Sequence, residues 1–215
     1  MRYLLSGGLL VWMLLASVGA ATPVGAPAPD FTLPDEHGTP HKLSQYRGRI
    51  VVLEWTNERC PFVQEHYQNK TMIRLYEKYR SKGIVWLAVN SSYFNTPADT
   101  RRWAQKNGIP YPTLQDPDGA VGRLYGARTT PHMFVIDRDG TLVYQGAIDN
   151  AYDPDRDRVG PVNYVEQVLD ALLRGERPPV QETKPYGCTV KYKPAQASRL
   201  GPRPRDFGPG SRPGG

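Results

Sequence analysis

The sequence predicts an α/β fold in which a central mixed β-sheet is flanked by helices and preceded by an N-terminal β-hairpin. Three apolar, β-branched runs predict buried strands at residues 50–55 (IVVLEW), 84–89 (IVWLAV) and 132–137 (HMFVID). A helical pattern connects the first two runs, which indicates parallel strands. A hairpin and one last helix follow the third run, so antiparallel strands are expected to complete the sheet.

The first elements follow from local signals. Residues 28–33 (APDFTL), together with Leu43, Ser44 and Gly48, predict the N-terminal hairpin. After the first buried strand comes Pro61, and proline is favoured at the first position of a helix. One long helix is therefore expected over residues 62–82.

The middle of the chain carries clear helix boundaries. Thr96 and Asp99 have the spacing of a capping box, so a helix is expected to continue to about Lys106 and to end at Gly108. A short strand and a short helix are expected next, at residues 111–114 and 119–125.

The last part of the predicted domain is a hairpin followed by a helix. Arg138-Asp139-Gly140 is typical of a hairpin turn, with residues 141–147 as the antiparallel partner of the third run. An amphipathic helix is expected over residues 162–173 and ends near Gly175. This order of elements is that of a thioredoxin fold.

The N-terminal end has the pattern of a targeting segment. Arg2, the apolar run 9–16 and the small residues Val18-Gly19-Ala20 predict a signal peptide over residues 1–20. The apolar run is short for a membrane span. The protein is therefore expected to be periplasmic or secreted, without stable membrane insertion after cleavage, and an uncleaved anchor is the alternative.

The C-terminal end is expected to be a disordered basic tail over residues 195–215, because it is rich in Gly, Pro and Arg without apolar periodicity. The tail contributes +3 and Arg2 contributes +1 to the formal net charge of +6, which leaves +2 for residues 21–194. The basic character belongs to the ends, so no nucleic-acid partner is expected. Between the ends we expect one domain, 21–175, and an extension, 176–194.

Cys60 carries the sharpest chemical signal. It lies between a buried strand and a helix start, where backbone N–H groups and the helix dipole favour an anion. A thiolate at such a position has a lowered pKa and is the nucleophilic form. Arg59 is expected to act in the same direction. An inert, packed cysteine is the alternative, although a cysteine at a loop end is hard to bury.

Thr130-Pro131 is the second signal. A proline directly before an apolar strand favours a cis peptide bond, and in this fold the Thr-Pro loop faces the cysteine, where its backbone groups can hold an extended substrate. His132 is either a base or donor near Cys60 or a polar residue that only begins a strand. Arg128 either stabilises the thiolate or forms a surface salt bridge.

Residues 28–175 resemble the thioredoxin-like redoxin superfamily. The resemblance rests on APDFTL at 28–33, Cys60-Pro61-Phe62-Val63, Thr130-Pro131 and the Asp139-Gly140 turn. It is greatest to the peroxiredoxin-like subgroup, of the alkyl hydroperoxide reductase and thiol-specific antioxidant type, which has a C-P-[FY]-V site and a late Gly-Cys, here Gly187-Cys188. The resemblance implies an oxidoreductase that acts on hydroperoxides or protein disulfides and is reduced by an external thioredoxin-like protein.

Two positions depart from the patterns of related redoxins. Val63 stands where a C-x-x-C motif has its second cysteine, so no local disulfide can form. Leu53 and Asn57 stand where a peroxiredoxin has the Pro and the Ser or Thr of P-x-x-x-[ST]-x-x-C, and Thr56 is one residue too early. Asn57 could donate a hydrogen bond in place of the missing hydroxyl.

Cys188 has three interpretations. It lies in a stretch without predicted structure, residues 178–193, and a flexible segment of this kind can reach Cys60 and act as a resolving thiol. A permanent Cys60–Cys188 bridge in a non-catalytic binding module is the second interpretation, and an unpaired cysteine is the third. Thiol reactivity at neutral pH distinguishes the enzyme from the module.

No metal or cofactor is expected. A copper site of the C-x-x-x-C type needs a second thiol four residues after Cys60, and that position holds Gln64. One soft sulfur with scattered histidines is a poor metal site.

Overall fold

The computed structural model describes residues 21–194. The predicted signal peptide, 1–20, and the predicted tail, 195–215, lie outside the described residues. Among residues 21–194, no helix is long and apolar enough to span a membrane.

The described chain contains nine strands and six α-helices. In order they are β1 (Thr32–Pro34), β2 (Pro40–Lys42), β3 (Val51–Trp55), α1 (Pro61–Gln68), α2 (Thr71–Arg80), β4 (Val85–Asn90), α3 (Pro97–Asn107), β5 (Thr113–Gln115), α4 (Ala120–Tyr125), β6 (Thr129–Thr130), β7 (His132–Ile136), β8 (Leu142–Gly146), α5 (Arg156–Val159), α6 (Tyr164–Leu173) and β9 (Cys188–Thr189). A short 3-10 helix, Leu43–Tyr46, follows β2.

The central sheet has the strand order β5-β4-β3-β7-β8. Strands β5, β4 and β3 are parallel to one another, β7 is antiparallel to β3, and β8 is antiparallel to β7. Strands β1 and β2 form the separate N-terminal hairpin. The predicted thioredoxin fold, with its mixed sheet and hairpin extension, is confirmed.

The alternation of side chains along β3 divides the core into two apolar clusters, one on each face of the sheet. Val52 packs on the face that also holds Cys60, whereas Leu53 and Trp55 pack on the opposite face. Glu54 lies on the Cys60 face and is 0% exposed. Its carboxylate accepts hydrogen bonds from Tyr67, Trp86 and Tyr111, which explains how a charged residue type is tolerated there.

The single long helix expected over residues 62–82 is wrong: α1 and α2 are separate helices. Lys70 has φ 55°, in the left-handed region, and interrupts the helical path. In a continuous helix the buried face through Val63 and Tyr67 would run on to Lys70 and Arg74. The break shifts the helical phase, so that Met72 and the apolar residues after it turn towards the core instead.

The local signals at the other elements are confirmed. Thr96 and Asp99 form a reciprocal capping box at the start of α3, and Gly108 ends that helix with φ 63°. Gly140 lies in the predicted turn with φ 79°, and the Thr130-Pro131 bond is cis.

The C-terminal extension differs from the flexible stretch that the sequence suggested. The backbone of Gln145, on the outer strand β8, exchanges hydrogen bonds with Gln181 and Thr183. Further along, β9 pairs with β6 in antiparallel fashion. A proline-rich segment without apolar periodicity is thus ordered by main-chain pairing, a contribution that side-chain patterns do not reveal.

Candidate active site

Cys60 occupies the N-cap position of α1, directly after the loop that leaves β3. The loop is closed by Asn57, whose backbone oxygen accepts the N–H of Cys60 at 2.9 Å and whose side-chain oxygen accepts the N–H of Arg59 at 2.9 Å. Pro61 fixes the first helical position. Asn57 therefore shapes the turn that presents the sulfur.

The Cys60 side chain is buried, contrary to the expectation for a cysteine at a loop end. It is 1% exposed, and its thiol donates to the carbonyl oxygen of Thr130 at 2.9 Å. The physical reason is the extension: β9 is seated on β6 with Cys188 in register with Thr130. The cover over the site comes from a segment whose docking the sequence did not predict.

Cys60 and Cys188 are free, neighbouring thiols. Burial raises the pKa of the Cys60 thiol, but hydrogen bonds with the Cys188 and Thr130 side chains and with the backbone N–H groups of Val63 and Cys188 outweigh it and hold the pKa below its usual value. Burial, together with the hydrogen bond and charge of Cys60, raises the pKa of Cys188 to about 11. Cys60 is therefore the more acidic thiol of the pair.

Gly187 makes the close approach of the extension possible. Its φ is +123°, and a Cβ at this position would overlap the carbonyl oxygen of Thr130. Only glycine fits both the backbone conformation and the space. Thr130 thus contacts both cysteines, and the cis-proline loop, with Thr130 and Pro131, lies at the centre of the site.

The other predicted supporting residues do not converge on Cys60. The Arg59 guanidinium stacks over the Phe94 ring at 4.5 Å, and the Arg128 side chain is exposed. The His132 ring packs against Phe134, which belongs to the core cluster on the face opposite Cys60. Burial, with a contribution from the charge of Arg128, lowers the pKa of His132 to about 3, so it is neutral at physiological pH.

A group of polar and aromatic residues beside the site was missed by sequence reasoning. The Tyr186 hydroxyl donates to Asp149 at 2.5 Å and accepts the Nε2 hydrogen of His66 at 2.8 Å. Its ring packs against those of Phe62 and Tyr152. Because His66 and Tyr186 are 120 residues apart, no local pattern could have associated them.

Metal ligation has no support in the part of the chain that the structure describes. Residues 21–194 contain no group of three or more His, Cys, Asp or Glu side chains arranged to hold a metal ion.

Comparison with known proteins places these features in a family context. A sequence profile of the AhpC/TSA family matches residues 24–145. The thiol-disulfide oxidoreductase ResA of Geobacillus thermodenitrificans is 32% identical over 147 residues, which cover 62% of this chain and 81% of the relative.

Two solved structures extend the comparison. An uncharacterized conserved protein from Geobacillus kaustophilus is 30% identical with a TM-score of 0.72, over 80% of this chain and 94% of that one. A putative thiol:disulfide interchange protein DsbE from Chlorobium tepidum is 28% identical with a TM-score of 0.57, over 71% of this chain and 99% of that one.

Proposed function

The chain belongs to the AhpC/TSA family, and from that premise we propose that it is a thiol–disulfide oxidoreductase in which Cys60 is the nucleophile and Cys188 the resolving thiol. The observation that carries the proposal is the pair of adjacent free thiols whose pKa values are shifted in opposite directions. The relatives named for thiol-disulfide chemistry support the same reaction.

The reaction proceeds in two exchanges. The Cys60 thiolate attacks one sulfur of a substrate disulfide, forms a mixed disulfide and releases the other sulfur as a thiol after it takes up a proton. The Cys188 thiolate then attacks the Cys60 sulfur, which forms the Cys60–Cys188 disulfide and releases the second substrate thiol. Two electrons have passed to the substrate, and an external dithiol protein of the thioredoxin type restores both thiols.

Hydroperoxide reduction is the second candidate, favoured by the family match and by the neighbouring thiol. Here the Cys60 thiolate attacks the distal peroxide oxygen, the O–O bond breaks, and the alkoxide takes up a proton and leaves as the alcohol. The thiol of Cys188 then condenses with the Cys60 sulfenic acid to give the same disulfide and water. Disulfide exchange is preferred because Leu53 and Asn57 stand where a peroxiredoxin has the Pro and the Ser or Thr of its peroxide-binding pattern.

The cellular setting proposed for this activity is the periplasm or the exterior of the cell. It rests on Arg2, the apolar run 9–16 and the small residues 18–20. Substrate disulfides and a thioredoxin-like reductant in the same compartment would complete the cycle.

The test compares Cys60→Ser and Cys188→Ser with the unaltered protein. With a dithiol reductant and a disulfide substrate, Cys60→Ser is expected to lose turnover entirely. Cys188→Ser is expected to react once and stop as a mixed disulfide, which intact-protein mass spectrometry detects. Supplying a hydroperoxide instead should leave a sulfenic acid on Cys188→Ser, and comparing the two rates decides between the substrates.

Either of two results contradicts the proposal. Full turnover by Cys60→Ser would remove the nucleophile assignment. A Cys60–Cys188 bridge that resists dithiol reductants, together with unchanged turnover by Cys188→Ser, would make Cys188 structural. An exchangeable bridge should have a reduction potential well above the value of about −300 mV below which structural disulfides fall.

A further inference from the structure

In the described part of the chain, residues 21–194, the C-terminal extension lies over Cys60. Residues 187–190, named here the strap, run across the cysteine as an antiparallel partner of the Thr129–Thr130 edge. The Val190 N–H donates to the Arg128 carbonyl, which extends the pairing by one more bond. With the sulfur 1% exposed, a disulfide within another protein meets the strap before it meets Cys60.

The strap is fixed at both ends by tyrosine hydroxyls. After the strap, the Tyr192 hydroxyl donates to the Ala127 carbonyl at 2.7 Å, which is called here the far anchor. Directly before the strap, the Tyr186 hydroxyl is hydrogen-bonded to Asp149 and His66, which is called here the near anchor. Since His66 lies on α1, the helix that Cys60 caps, the Tyr186 contact ties the strap directly to the element that carries the nucleophile.

The two anchors differ in strength. Tyr192 makes a neutral hydrogen bond to a backbone carbonyl. Tyr186 bonds to a carboxylate at 2.5 Å, and hydrogen bonds to charged groups are roughly twice as strong as neutral ones. Its ring is also enclosed by Phe62, Tyr152 and His66. The Tyr192 ring is also packed, under the Arg123 guanidinium at 4.6 Å. Of the two anchors, Tyr186 is the one that combines a hydrogen bond to a carboxylate with a contact to the helix that begins at Cys60.

We propose that Tyr186 is a positioning residue that latches the strap over the Cys60 site, so that Cys188 resolves rapidly whereas an extended protein substrate reaches Cys60 only when the latch opens. The inference rests on the proposed function for its chemical meaning. In this proposal the strap occupies the groove in which an extended, cysteine-containing segment of a substrate would bind. The strap and the substrate therefore compete for hydrogen bonds to the Thr130 backbone.

The test uses Tyr186→Phe, with Tyr152→Phe as the matched control. Tyr152 belongs to the same aromatic group, but its hydroxyl donates to Glu65 and makes no bond to the extension. In a Cys188→Ser background, the probe is an extended peptide whose cysteine is linked to thionitrobenzoate, and release of the chromophore reports attack by Cys60. Tyr186→Phe is expected to raise this rate about ten-fold, since a hydrogen bond to a charged group is lost.

With Cys188 present, the same substitution should slow closure of the Cys60–Cys188 disulfide, measured as release of the peptide thiol. Faster attack combined with slower resolution is not expected from a mere loss of fold stability, which a urea titration measures in parallel. Tyr152→Phe should change neither rate.

Hydrogen exchange separates failure of the latch from failure of the proposed function. In Tyr186→Phe the Val190 amide should exchange faster than in the unaltered protein, whatever the reactivity of Cys60. Unchanged exchange and unchanged rates would overturn the latch. Faster exchange with no chromophore release from any variant would keep the latch and overturn Cys60 as the nucleophile.

Discussion

Glu54 is the most unusual single residue of the core. Burial raises the pKa of its carboxyl, although the hydrogen bonds from Trp86, Tyr67 and Tyr111 act in the opposite direction. A carboxyl whose pKa is higher in the folded chain than in the unfolded chain contributes stability that is complete below its ordinary pKa. That stability is lost as the pH rises through the folded-state pKa.

Replacing Glu54→Gln should remove this pH dependence. The glutamine carbonyl can accept from Trp86 and Tyr111, while its amide donates to the Tyr67 hydroxyl, which can in turn donate to Tyr111. As the pH rises above the ordinary range of a carboxyl group, the unaltered protein is expected to lose unfolding free energy relative to the variant. Urea titrations at pH values within and above that range measure the difference.

Exposed Glu77, on α2, provides the matched control. Glu77→Gln should show the pH dependence of the unaltered protein. If Glu54→Gln follows the same curve as the control, the buried carboxyl does not titrate in this range.

At the scale of the residue, the sequence predicted what depends on near neighbours. Cys60 was identified because its strand, its loop and Pro61 are adjacent in the chain. The roles of Tyr186 and Glu54 depend on partners brought together by the fold, and a tyrosine or a glutamate in isolation carries no signal of them. Two roles stayed open for His132, because its place depends on which face of the sheet the side chain occupies, and the sequence did not decide that face.

At the scale of the element, the break between α1 and α2 has an energetic cost at Lys70. A residue with a Cβ in the left-handed region is disfavoured by roughly 1–2 kcal/mol. The cost is accepted because it brings Met72 and Leu75 into the core.

Lys70→Gly should therefore raise the free energy of unfolding, by up to about 1 kcal/mol once the greater freedom of glycine in the unfolded chain is counted. Arg74→Gly, at an exposed position inside α2, is the control and should lower it by about 1 kcal/mol. Thermal or urea unfolding of both variants gives the comparison. A loss of stability in both would mean that position 70 is helical in solution.

Elements bounded by caps and turns were predicted well, since α3 and the β7–β8 hairpin have their signals within a few residues. The break at Lys70 was not predicted, because the polar residues around it are compatible with a continuous helix. Only a change in the spacing of the buried side chains, from Val63 and Tyr67 to Met72, reveals the break. The ordering of the extension was also missed. Its hydrogen bonds are made by backbone groups, which every residue except proline provides alike, so the side-chain pattern carries no signal of them.

At the scale of the whole molecule, the prediction concerns export. Arg2, the apolar run 9–16 and the small residues before Ala21 lead us to expect that the exported protein begins near Ala21. N-terminal sequencing of protein recovered from outside the cytoplasm checks this. Protein that retains Met1 and stays in the cytoplasm would contradict it and would place the thiol pair in a reducing compartment.

The pairing of Gln181 and Thr183 with Gln145 has a consequence for the behaviour of the molecule in concentrated solution. The outer strand of a sheet offers unpaired backbone groups to any other chain and is a site of aggregation unless it is covered. Here the extension covers β8 at Gln145, near the end of the strand. A chain cut after Gly175 would keep its whole central sheet yet expose that edge, so it would be prone to self-association even while correctly folded.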